Sequence, residues 1–88
     1  MDETYETLDI YRAAYLELMG HRVTLSLNRA GRVVFVFSQT LELDEAITRY
    51  NEKIFVSARD FAEQIKDLKR RMFSVGNGRR FDDVKQKK

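Results

Sequence analysis

The sequence predicts an α+β domain, a small antiparallel sheet built on a central hairpin with three helices, and three observations carry that prediction. The stretch RVTLSLNRAGRVVFVFS, residues 22–38, sets two runs of strand-forming residues around a short polar connection. Apolar residues recur at helical spacing over about 9–19, 41–50 and 58–73. Between Tyr5 and Phe73 there is no repeat, no low-complexity linker and no Pro. The expected organisation is one domain over 1–74 followed by a flexible basic tail over 75–88.

In chain order, Tyr5 to Leu8 is a short β-prone stretch suited to a sheet edge. Asp9 is a good N-cap for a first helix whose Tyr11, Ala14, Tyr15, Leu18 and Met19 form one face, widened by Ile10 and Ala13. Gly20 suits a left-handed cap at its end. In the hairpin (strands 22–28 and 32–38), Asn28-Arg29-Ala30-Gly31 fits a type I turn followed by a bulge residue with positive φ, which Gly31 adopts without steric cost. That loop opposes Asn28 to Arg32; the pairs that follow are Leu27 with Val33, Leu25 with Phe35 and Val23 with Phe37, and these six apolar side chains share one buried face. The second strand is apolar on its other face as well, at Val34 and Val36, so something is expected to cover it: a strand's residues, a helix or a partner chain.

Thr40 can cap a second helix carrying Leu43, Ala46, Ile47 and Tyr50, with Glu42, Asp44 and Glu45 near the positive end of its dipole. Lys53 to Val56 is a β-prone run expected to add a strand. Ser57 and Asp60 imitate a capping box ahead of a third helix with Ala58, Phe61, Ala62, Ile65, Leu68 and Met72 on one face, running to about Phe73 before Gly76. With β for strand and α for helix, the expected order is (β)αββαβα.

Charge and composition narrow the function classes. The 88 residues contain no Cys, which excludes disulfides and thiolate metal sites. The N-terminus is acidic, unlike a signal peptide, and no segment approaches the roughly 20 apolar residues of a membrane span, so a cytoplasmic location without membrane contact is expected. The net charge of +2 hides an asymmetry: residues 1–65 hold seven Lys/Arg against eleven Asp/Glu, and 66–88 hold nine against three. Such an imbalance marks either an electrostatic footprint for an anionic partner or a solubilising end.

The catalytic inventory is thin. His21 is the single histidine, and beside a helix C-cap it reads as an ordinary polar residue rather than a base or ligand. The pairs Asp44-Glu45 and Asp82-Asp83 are adjacent in sequence, and neighbours on a helix do not face each other. No Gly-rich phosphate loop and no metalloprotease pattern is present. Hence no enzyme activity, no cofactor, no metal and no small-molecule ligand is expected. The hairpin invites comparison with RNA-binding sheets, but the register sends Phe35 and Phe37 to the core face, and Arg32 and Val34 stand where stacking aromatics are required.

Thr7-x-Asp9, the Ala13-Ala14 pair, Gly20-His21, Arg32-x-x-Phe35-Val36-Phe37 and Leu68-Lys69-Arg70-Arg71 together resemble a small prokaryotic and phage family of domains of unknown function, over about Tyr5 to Phe73. The resemblance implies a compact α+β domain and supplies no catalytic residue, cofactor or activity.

Two functional expectations follow. The first is a non-enzymatic binding or accessory domain that contacts a protein partner or a second copy of itself, with Val34 and Val36 as candidate interface residues and Tyr50 and Phe55 as further apolar material. The alternative is nucleic-acid contact through Lys66, Lys69, Arg70, Arg71, Arg79 and Arg80, since phosphate binding requires clustered cations and little else.

Overall fold

The computed structural model describes residues 3–52 and 54–76. The hairpin forms as its turn dictates. Strand β2 (Val23–Leu27) and strand β3 (Val33–Ser38) pair antiparallel with Leu27 opposite Val33, Leu25 opposite Phe35 and Val23 opposite Phe37. Asn28 closes the loop three times. Its N–H donates to the Arg32 carbonyl at 2.9 Å, its carbonyl accepts from Gly31 N–H at 2.9 Å, and its side-chain Oδ1 accepts from Arg32 N–H at 2.9 Å. Gly31 takes φ +82°, the left-handed region that a Cβ would strain.

Strand β1 (Thr4–Thr7) lies on the far side of β3, giving the order β1-β3-β2 with both pairings antiparallel. This makes β3 the central strand, flanked by a strand on each side. Phe35 and Phe37, at 0% and 1% exposure, face the core, and Val34 and Val36 face the opposite side.

Helix α1 (Ile10–Leu18) is capped by Asp9, whose carboxylate accepts from the N–H groups of Tyr11 and Arg12, while Asp9 N–H donates to Thr7 Oγ1 at 3.1 Å. Its end is a Schellman motif: Gly20 N–H donates to Glu17 O, His21 N–H donates to Leu16 O, and Gly20 has φ +100°. The buried residues of α1 are Ala13, Ala14, Tyr15 and Leu16, whereas Tyr11 and Met19 are exposed. This shifts the stripe expected from spacing. The helix packs against α2 (Leu41–Asn51), α3 (Ala58–Gly76) and β1 at once, so its centre is enclosed on several sides and its ends are not.

Thr40 caps α2 by accepting from Leu43 N–H at 3.0 Å, and Ser57 Oγ accepts from Asp60 N–H at 3.2 Å at the start of α3. Helix α3 extends three residues past the expected end and lies against β2, β3 and α1. The core gathers Leu16, Val23, Phe35, Phe37, Leu43, Ala46 and Leu68.

The α+β class and the small antiparallel sheet match expectation, but the sheet has three strands where the expected order has four, because 54–56 form none. Ile54 and Val56 pack on the core from the helical layer while Phe55 points away, so the alternation that imitates a strand is used to bridge two helices, without a sheet edge alongside. Lys53, Arg79 and Arg80 lie outside the described residues.

Candidate interaction surface

At the basic end of α3, Arg71 is tied to the fold while Lys66, Lys69 and Arg70 stand exposed. Arg71 reaches back to α1, its guanidinium 2.6 Å from Glu17 Oε1 and 2.7 Å from Asp67 Oδ2, and Gln64 Nε2 donates to the same Glu17 oxygen at 2.6 Å. Burial works against the charge on Arg71, but the hydrogen bonds it donates to the Glu17 and Asp67 carboxylates, together with their negative charge, outweigh this and hold its pKa above the ordinary value. Arg70 pairs with Asp67 at 3.0 Å. Lys66 and Lys69 are exposed on the same helix. Arg71 thus ties α3 to α1 through Glu17.

On the sheet face away from the helices, Val34 is 7% exposed and Val36 half-buried, flanked by exposed Thr24, Ser26 and Glu6. Val34 lies at the floor of an open cleft of about 460 Å³ with Glu6, Thr7, Leu8 and Asn28. The flanking polar residues leave little continuous apolar area there.

A polar cluster that sequence reasoning missed centres on Arg12. Its guanidinium donates to Tyr5 Oη at 2.9 Å and to Asn51 Oδ1 at 3.4 Å, and it lies 5.4 Å from the centre of the Tyr50 ring, joining β1, α1 and α2. The hydrogen bond to Tyr5 raises the pKa of Arg12. The signal was present in the sequence as one cation inside the otherwise apolar run from Ile10 to Leu16, among tyrosines. Tyr50, expected beside Phe55, belongs to this cluster, and its ring also packs 5.6 Å from Tyr15.

Burial raises the pKa of the Tyr50 hydroxyl above 10.0, helped by nearby Asp9 and opposed by Arg12. The unfolded chain therefore loses this proton first as pH rises, and the folded state then binds more protons. Stability from this group is complete below the unfolded pKa and lost as pH rises through the folded one. Tyr50→Phe is expected to flatten the alkaline fall in stability, read as urea midpoints from about pH 8 to 11 for both proteins.

Phe55 stands apart from that cluster. It is 90% exposed, on the connection between α2 and α3. Beside it, Leu18 and Met19 of the α1 terminus, Val56, Ser57 and Asp60 line a groove of about 240 Å³. Tyr11, seven residues before Leu18 and so on the same side of α1, is also exposed and stacks on Phe61 with ring centres 6.3 Å apart. The result is an apolar surface across two helix ends, with Asp60 as the charged residue in the groove lining. The β-prone run Ile54 to Val56 was visible in the sequence; its outward-facing centre was not, because strand and bridging connection share the same alternation.

His21 is half-buried and its N–H closes the α1 cap. Among the described residues no three His, Asp or Glu side chains gather as a metal-binding group, and no helix is long and apolar enough to cross a membrane.

A search of curated proteins and a search of solved structures each returned no match. A family model, that of the domain of unknown function DUF5659, matches residues 2–74. Most of the residues that carry the resemblance in the sequence have work within the fold. Thr7 and Asp9 start α1, Ala13 and Ala14 let three elements approach it, Gly20-His21 ends it, Phe35 and Phe37 fill the core, and Leu68 with Arg71 seats α3. With most of its length matched, and with those residues in these roles, the chain belongs to the DUF5659 family of domains.

Proposed function

We propose that this domain is a non-enzymatic protein-interaction module of a prokaryotic or phage system, and that it binds partners through the Phe55 surface. The observation that supports this most is a large aromatic ring, 90% exposed, next to an apolar groove. Aromatic anchors beside pockets are where interface binding energy concentrates. The partner that fits is a protein segment that inserts an apolar side chain between Met19 and Val56 and carries a basic residue toward Asp60.

Nucleic-acid contact is the weaker reading, since Arg71 and Arg70 are each paired with carboxylates, which offset their charge, and the remaining exposed cations of α3 among the described residues are Arg59, Lys66 and Lys69. A calorimetric titration with a synthetic amphipathic Leu/Lys helical peptide tests the proposal, with a Leu/Glu peptide as the charge control. Phe55→Ala is expected to weaken binding of the Leu/Lys peptide by about tenfold or more while leaving the thermal midpoint unchanged, as suits an exposed side chain. Equal affinity of wild type and Phe55→Ala would remove this surface from the proposal.

A further inference from the structure

We infer that the outer edge of β2 is a self-association site, at which two copies of the chain pair antiparallel about a two-fold axis at Leu25 to form one continuous six-stranded sheet. This surface is separate from the Phe55 groove and does not rest on it.

The hydrogen-bond phase of the hairpin selects the register. Across the bulged loop the main-chain groups of Asn28 both point toward β3, its N–H donating to the Arg32 carbonyl and its carbonyl accepting from Gly31 N–H, so by alternation Ser26 and Thr24 are the β2 residues bonded to β3, and Val23, Leu25 and Leu27 direct their N–H and C=O groups outward. Among the described residues no strand pairs with that edge. An antiparallel copy matches outward groups to outward groups when Leu25 faces Leu25 of the second copy and Val23 faces Leu27. That arrangement pairs all five residues of β2 with about six main-chain hydrogen bonds. Other two-fold registers that respect the phase pair fewer residues.

Side chains support the same register. Exposure along the inner face rises from buried Val23 through half-buried Leu25 to Leu27 at 40%. The pairing sets the bare end of one copy against the covered end of the other, so the layer over Val23 extends across Leu27 of the second copy. On the outer face Thr24 meets Ser26, a favourable cross-strand combination. The edge contains no charge, and the flanking Arg22 falls opposite Asn28, so no like charges oppose along it. The other edge of the sheet differs: β1 carries Glu6 and follows Glu3, the kind of charge that discourages strand addition. A five-residue ladder with two leucines belongs to the small class of interface, so the dimer is reversible rather than obligate.

The test is sedimentation equilibrium of the full 88-residue chain from about 10 µM to 1 mM, a range suited to a weak association. Wild type is expected to move from monomer toward dimer mass across that range. Thr24→Lys with Ser26→Lys places lysines opposite each other at the seam, at positions exposed in the monomer, and is expected to weaken dimerisation at least about tenfold with an unchanged circular-dichroism melt. The corresponding Thr24→Glu with Ser26→Glu protein, mixed with the lysine variant, is expected to restore a mixed dimer. Phe55→Ala is expected to dimerise as wild type does. A wild-type protein that stays monomeric throughout, or a dimer that the lysine variant leaves intact, would overturn the inference; a dimer lost on Phe55→Ala alone would do the same by assigning self-association to the groove.

Discussion

Truncating Phe35 to Ala is expected to lower stability by about 3 to 5 kcal/mol, much of the roughly 5 to 10 kcal/mol available to so small a domain. Phe35 is fully buried at the centre of the middle strand, across from Leu25 and Thr7, with the helical layer above it. Removing the ring loses its transfer free energy and leaves a cavity that two flanking strands and a helix cannot close without breaking ladder bonds. Urea unfolding should show a midpoint shifted far to lower denaturant with the slope retained. Val36→Ala, one residue along and on the other face, is expected to cost about 1 kcal/mol. Comparable losses at the two positions would contradict the assigned faces of β3.

The second large effect is at Leu16. Leu16→Ala is expected to cost about 2 to 5 kcal/mol, against less than about 1 kcal/mol for Met19→Ala. Helical spacing alone favours the opposite ranking, because Met19 continues the stripe through Tyr11, Ala14, Tyr15 and Leu18, and Leu16 falls outside it. The structure inverts this. Leu16 is fully buried where α1 is enclosed, and Met19 is exposed beside the Phe55 groove. Thermal melts of the two variants decide between stripe and enclosure.

Those two helix positions show which parts of the fold can be read from the chain. Local signals were legible because each is a short-range physical constraint. Asn28 and Gly31 set the hairpin register, Asp9 and Thr40 cap helices, and Gly20 ends one. What depends on tertiary neighbours was not legible. A single helix seen by its periodicity has one buried face, whereas α1 touches three elements, and that number is not written in its own residues. The Ile54 to Val56 run has the alternation of a strand, and only the absence of an adjacent sheet edge makes it a bridge. Of the candidate site, the apolar character of Phe55 and the clustering of α3 cations could be read from sequence. Their fates could not, because they turn on contacts distant in the chain: Arg71 finds Glu17, Arg12 finds Tyr5 and Asn51, and Phe55 faces outward.

The Arg12 and Arg71 contacts also bear on function. Both side chains tie α1 to its neighbours, and of the two only Arg71 belongs to the cations named for phosphate contact; under the interaction reading proposed above, the route to a partner is the apolar surface at the α1 terminus and the α2–α3 connection.

The proposal that this is a protein-interaction domain is tested most directly by amide NMR titration of the intact chain with the Leu/Lys peptide and, separately, with a random duplex DNA at the same moderate salt. The peptide is expected to shift the resonances of Leu18, Met19, Phe55, Val56 and Asp60, with little change for the DNA. Shifts produced by the DNA alone, centred on Lys66 and Lys69 and reversed by added salt, would contradict it.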